Sequence, residues 1–145
     1  MADHAHSHAS SSSSNSSLHV IVVTPEATVV DATADFVALP LVDGEYGVAP
    51  LHSPMIGRLG YGELRIRSAG RVDRYYADGG FVQVSDNVVS VLTNRAMPAS
   101  VIDPAIANEQ LRTAISRKAA GSEELAIRDR LITQARGQLR VATKS

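Results

Sequence analysis

The 145-residue chain contains no cysteine. That excludes disulfides, thiolate metal sites and a thiol nucleophile. It has no tryptophan and only 4% aromatic residues, so a stacking platform for sugars or single-stranded nucleic acid is not expected. Lysine is confined to Lys118 and Lys144. A Walker-type G-K-S/T loop is therefore absent, as is the hairpin-tip lysine of a biotinyl or lipoyl carrier. No G-x-S-x-G elbow occurs, and no motif brings Ser, His and Asp together as a triad. No apolar run approaches the roughly 20 residues of a transmembrane helix. This inventory points away from catalysis, nucleic-acid binding and membrane insertion.

Residues 1–17, MADHAHSHASSSSSNSS, are of low complexity. They have too little apolar surface to offset the entropy of ordering, and a disordered tail is expected. Ala2-Asp3-His4 behind a free amine would suit square-planar Cu(II) or Ni(II), but with His6 and His8 the stretch reads as a soluble leader. It has no apolar signal core, so a cytoplasmic protein is expected. The net charge of −1 hides an asymmetry. Residues 18–103 carry six Arg against seven Asp and three Glu, a net −4, whereas residues 104–145 carry six Arg and two Lys against three Glu and one Asp, a net +4. A basic end on an acidic body suits an acidic surface, its own or a partner's.

From Leu18 to Val101 short apolar runs alternate with turn residues. Strands are expected at Leu18–Thr24, Ala27–Ala32, Phe36–Leu41, Met55–Leu59, Glu63–Ser68, Arg71–Ala77, Phe81–Ser85 and Val88–Thr93. Leu64 and Ile66 alternate with Arg65 and Arg67, as a half-buried strand requires. Asp86-Asn87 is a hairpin turn, because both residues tolerate positive φ. Gly60-Tyr61-Gly62 and Asp78-Gly79-Gly80 read as further turns. The pattern predicts an antiparallel β-sandwich over 18–101.

Helical signals begin at Asp103-Pro104, an N-cap followed by proline at the first helical position. Ala107, Leu111, Ala114 and Ile115 share one face, and Gly121 is the expected stop. Ser122 is the expected cap of a second helix, with Glu123 and Glu124 near its positive end. Leu125, Ile132, Ala135, Leu139 and Ala142 line one side of it. Gly137 costs about 1 kcal/mol relative to alanine. Arg128 and Lys118 interrupt the apolar sectors. Residues 102–145 thus form an antiparallel helical hairpin, completing an α+β chain, and the hairpin depends on packing against another surface.

Val23-Thr24-Pro25-Glu26, the stretch from Gly44 to Pro54 (GEYGVAPLHSP), Gly79-Gly80-Phe81 and Asp86–Leu92 occur in one order ahead of that hairpin. Together they closely resemble the epsilon subunits of bacterial F-type ATP synthases, equivalent to the mitochondrial delta subunit, from Leu18 to the C-terminus. The resemblance implies a non-catalytic rotor subunit without cofactor. It sits at the foot of the central stalk on the cytoplasmic face of the plasma membrane, peripheral to the bilayer. There it joins the gamma subunit to the c-ring and couples proton or sodium transport to ATP synthesis. It implies that Glu45, Tyr46 and His52 occupy a loop facing the c-ring. Phe81 belongs to the core or faces gamma. The basic residues Arg112, Arg117, Lys118, Arg128, Arg136 and Arg140 lie on a hairpin that extends to the beta subunit and inhibits ATP hydrolysis. The competing expectation is a stand-alone sandwich adaptor whose basic hairpin binds an acidic protein.

Some members of that family bind ATP through I/L-D-x-x-R-A at the start of the first helix. This chain has Ile102, Asp103 and Ala107, but Ile106 stands in place of the arginine fork that would hold phosphate. Met97 replaces an acidic residue in the preceding linker. Asp103 is therefore expected to be a helix cap, and ATP binding to be weak or absent. No metal site is expected either: His52 has no second ligand at suitable spacing.

Overall fold

The computed structural model describes residues 17–143. The expected tail, apart from Ser17, and its Asp3-His4 pattern lie outside the described residues. Eight strands are followed by two helices: β1 (Leu18–Val23), β2 (Thr28–Ala34), β3 (Phe36–Leu41), β4 (Gly44–Val48), β5 (Met55–Ser68), β6 (Arg71–Ser85), β7 (Val88–Leu92), β8 (Ala96–Pro98), α1 (Pro104–Ser116) and α2 (Ser122–Thr143). The main path of the sheet runs β2-β1-β7-β6-β5-β3-β4, with β8 added on β6. The sheet is mixed rather than wholly antiparallel as expected, because β1 and β7 pair in parallel. That pairing follows from β1 entering beside the Asp86-Asn87 turn, where the His19 amide donates to the Asn87 carbonyl at 2.8 Å.

The sheet folds over on itself. Val20, Val22, Val89 and Val91 from one end of the strand order share a single core with Val37, Leu39, Val48, Leu64 and Ile66 from the other. In a flat sheet β1 and β3 would stand about 19 Å apart, four strand spacings. The fold-over happens inside β5 and β6. Gly60-Tyr61-Gly62 and Asp78-Gly79-Gly80, expected to be turns, are corners within these two long strands. Leu59 pairs with Gly80 and Tyr61 with Asp78 across the corner. Gly79 and Gly80 take φ of +71° and +108°, values that suit glycine. The Asp86-Asn87 turn forms as expected, with both residues at positive φ.

The helices depart from expectation at their junction. Asp103 caps α1, its Oδ1 accepting from the Ala105 amide at 2.9 Å. The helix then ends at Ser116, five residues before Gly121. Arg128 explains the early stop. Its Nη2 donates to the Ile115 carbonyl at 3.0 Å, satisfying the end of α1 from the facing helix. Gly121, at φ +94°, instead opens α2. Its carbonyl accepts from the Leu125 amide, so Ser122 lies inside the first turn rather than at the cap. Glu124 Oε2 reaches back to the Ala120 amide at 2.9 Å, as in a capping box. The inward face of α2 is Ala135, Gly137, Gln138 and Val141, while Leu125 stays exposed. Ile115 of α1 is exposed as well.

The corner sets a stability test. A Cβ on Gly80 would lie 1.9 Å from the Leu92 carbonyl oxygen, whereas one on Gly70 would meet nothing within 4 Å. Gly80→Ala should lower stability by roughly 3 kcal/mol or prevent folding. Gly70→Ala, strained only by its φ, should cost about 1 kcal/mol. Urea unfolding measures both, and equal costs would refute the assignment of the corner.

Candidate interaction surfaces

The fold-over leaves two outer faces. The first carries an apolar row that crosses three strands and ends at Arg58 on a fourth. Register places Val23 beside Leu92, Leu92 beside Phe81, and Phe81 beside Arg58. Phe81 is 58% and Leu92 56% exposed, and neighbouring Ile56 is 77% exposed. Phe81 is therefore a surface residue and not part of the core. An open groove of about 890 Å³ follows the row past Val42 to Thr133 and Arg140 of α2. Among the described residues Arg58 and Arg140 are its charged lining, and no carboxylate lines it. Contiguous exposed apolar surface rimmed by polar groups marks a contact surface on a soluble chain.

The second outer face holds the helices. Tyr76, Ile102 and Val141 form a small separate cluster with Tyr61, Met97 and Ala142 packed on it. Around it the contacts are polar. Gln134 Nε2 donates to Asp78 Oδ2 at 3.0 Å, and the Tyr76 hydroxyl donates to Asp78 Oδ1 at 2.8 Å. Arg74 Nη2 donates to the Val141 carbonyl at 2.9 Å, a cation at the negative end of α2. Arg140 Nη2 donates to the Tyr61 carbonyl at 3.4 Å. Gly137, which looks like a defect in the sequence, allows α2 to approach: a Cβ there would lie 3.0 Å from the Tyr61 carbonyl oxygen and 3.2 Å from the Tyr76 ring.

Glu45 and Tyr46 lie in an edge strand, β4, and not in a loop. The glycines Gly44 and Gly47 bracket residues paired with Pro40 and Leu39 of β3. Glu45 pairs with Arg65 across the sheet. His52 does lie in a loop, and Tyr46 joins it. His52 Nδ1 faces the Ser53 carbonyl at 2.6 Å and must donate to it, so Nε2 accepts from the Tyr46 hydroxyl at 2.7 Å. The rings meet edge-on with centroids 5.5 Å apart. Beside them Leu51 is 76% exposed at φ +68°, its amide held by Asn87 Oδ1 at 2.7 Å.

The remaining expected residues divide between packing and solvent. Ile102 and Ala107 are buried and Asp103 is the α1 cap, so all three have folding roles. Arg112, Arg117, Lys118, Arg136 and Arg140 are exposed. Arg128 is half-buried as the staple between helices, and among the described residues its Nε has no hydrogen-bond partner. Among the described residues no group of three or more His, Cys, Asp or Glu could hold a metal.

Residues 17–99 match the family model of the ATP synthase delta/epsilon chain β-sandwich domain. The ATP synthase epsilon chain of Rhodopirellula baltica is 48% identical over 126 residues, covering 87% of this chain and 98% of the relative. The chain belongs to the epsilon-chain family of ATP synthase. Members of that family are non-catalytic subunits of the complex, in keeping with the missing catalytic motifs. Membership also removes the support for a stand-alone adaptor. The same fold occurs in solved structures. One is of the Euglena gracilis mitochondrial ATP synthase (OSCP/F1/c-ring, rotational state 1), with TM-score 0.79, 20% identity, and 89% of this chain and 82% of that one covered. Another is of the Tetrahymena thermophila mitochondrial ATP synthase (central stalk/c-ring), with TM-score 0.68, 15% identity, and coverage of 87% and 96%.

Sequence reasoning missed Asp78, Gln134 and Arg74, the residues that fasten this chain's helices to the sheet. A buried Asp next to two glycines was the available signal, but it resembles an ordinary turn. The fastening yields a pH test. Burial first, then the Asp78 charge and hydrogen bond, push the Tyr76 hydroxyl well above its usual range. Its neutral form is thus favoured in the folded state. The stability it contributes is complete below the unfolded value of about 10 and is lost as pH rises beyond it. Burial raises Tyr75 in the same direction. Unfolding free energy should fall above pH about 10, less steeply in Tyr76→Phe, where Tyr75 remains. An unchanged alkaline slope in that variant would exclude Tyr76 as the group responsible.

Proposed function

We propose that this chain is a rotor subunit of the central stalk of an F-type ATP synthase, joining gamma to the c-ring and coupling ion transport to ATP synthesis. The apolar row Val23–Leu92–Phe81 carries the reading. A small domain with its own filled core has no folding reason to display these side chains across three strands. Phe81 and Leu92 face gamma. Glu45, Tyr46 and His52 meet the c-ring, where the Tyr46–His52 bond and the pinned Leu51 present a rigid, preorganised rim. No helix among the described residues is long and apolar enough to cross a membrane. The chain works peripherally, on the cytoplasmic face of the bacterial plasma membrane.

The helix pair acts as a brake on ATP hydrolysis. Polar contacts dominate its attachment, and each hydrogen bond adds only about 1 kcal/mol over its replacement by water. The apolar part is limited to the small Tyr76–Ile102–Val141 cluster. Such an arm leaves the sheet at modest cost, and its net +4 charge suits an acidic segment of the beta subunit. ATP does not hold it down. Asp103 is engaged as a cap, Ile106 offers no donor, and the cleft of about 380 Å³ along the helices is lined by Glu109 as well as by Arg95 and Arg117.

The test is ATP hydrolysis by a catalytic complex depleted of its epsilon subunit. The full chain and a version ending at Asp103 should both bind gamma, and only the full chain should inhibit. Phe81→Asp should weaken gamma binding at least tenfold. Failure of both versions to bind would refute the rotor role, and inhibition by the truncated version would refute the brake. Calorimetry with ATP should detect no low-micromolar binding; such binding would overturn the reading of Ile102, Asp103 and Ala107.

A further inference from the structure

The outer face that holds the helices also carries an unbroken run of charge. Glu45 on β4 pairs with Arg65 on β5. Arg65 Nη1 donates to Glu63 Oε1 at 3.2 Å. Arg74 on β6 donates through Nε to Glu63 Oε2 at 2.8 Å and through Nη2 to the Val141 carbonyl at 2.9 Å. Register sets Arg65 directly opposite Arg74. Like charges in that position repel. The Glu63 side chain, only 9% exposed, lies between them with one oxygen for each. The two arginines therefore compete for one carboxylate. Glu45 balances Arg65 from the far side, while Glu63 holds Arg74 under the last turn of α2.

We propose that Arg65 and Glu63 are positioning residues that couple Glu45 to the docking of the helix pair. Neutralising Glu45, by substitution or by a partner's basic side chain that draws it away, strengthens the pull of Arg65 on Glu63, which it already contacts. The grip of Glu63 on Arg74 slackens and α2 loosens from the sheet. Contact at the β4 edge is thereby reported at the helices, through side chains of three strands. Only the identity of the contacting partner rests on the c-ring reading of Glu45; the coupling within the chain does not.

Hydrogen exchange of the α2 amides, measured by mass spectrometry on the full chain, tests it. Amides of β1 serve as a control for the fold. Glu45→Gln should speed α2 exchange about three- to fivefold, and Glu45→Arg should do so further. Arg65→Gln removes both the competitor and the repulsion, so it should slow exchange below that of the unaltered chain. Glu45→Gln added to Arg65→Gln should then change nothing. The same acceleration by Glu45→Gln in both backgrounds, or none in either, would overturn the coupling. So would faster α2 exchange in Arg65→Gln with β1 protection intact. Because the isolated chain is used, this result is independent of whether the chain binds gamma or the c-ring.

Discussion

Two strands, β5 and β6, belong to both halves of the folded sheet, and the rest of the structure depends on the corner they turn together. Gly60 on one strand and Gly79-Gly80 on the other permit the bend, and the ladder skips only the Gly60–Gly79 position before resuming in the same register. The bend stacks the valines of β1 and β7 on Val37, Leu39 and Ile66, closing the core. It also separates the two outer faces, one bearing Phe81 and the other the helices. Asp78 sits at the corner itself. Its amide donates to the Arg95 carbonyl at 3.0 Å and to Thr93 Oγ1 at 3.0 Å, and its carboxylate meets Tyr76 and Gln134. The bend that closes the core thus also aims the anchor for α2.

The two modules are held by different physics. The β-domain rests on a core of fully buried Val and Leu side chains, each contributing about 1.5–3 kcal/mol when removed from water. The helices rest mainly on directional contacts from Gln134, Arg74 and Arg140, for which water is a ready substitute. Between themselves they are stapled by Arg128. In a chain built this way, loss of the helix contacts leaves the buried core of the sheet untouched. Gly137 belongs to the same logic: it weakens α2 as an isolated helix and lets it lie close on Tyr61 and Tyr76.

Local chemistry was legible in the sequence; chemistry across strands was not. The Asp86-Asn87 turn, the Asp103 cap and the alternation of Leu64 and Ile66 with Arg65 and Arg67 each depend on neighbours a few residues away, and each formed. The glycine corners were misread because Gly-Gly at a bend within a strand looks like Gly-Gly between strands. Gly44–Val48 was misread because an edge strand pairs on one side only and need not alternate. The end of α1 was misplaced because Arg128, which terminates it, arrives from the next helix. The surfaces followed the same rule. Phe81 was a candidate by its position in a motif, but the row it completes exists only through register. The Glu45–Arg65–Glu63–Arg74 run is spread over residues 45–74 and cannot be seen in one dimension.

The apolar row has a bearing on how the chain matures. Its members come from three strands, and Val23 reaches Leu92 only through the parallel pairing of β1 with β7, which joins the first strand to one near the end of the sheet. Pairings so distant in sequence close slowly, because the loop entropy is lost before the contact rewards it. The row is therefore not assembled until the domain is essentially complete. A half-made chain does not present it, so the exposed apolar surface appears only with the closed sheet.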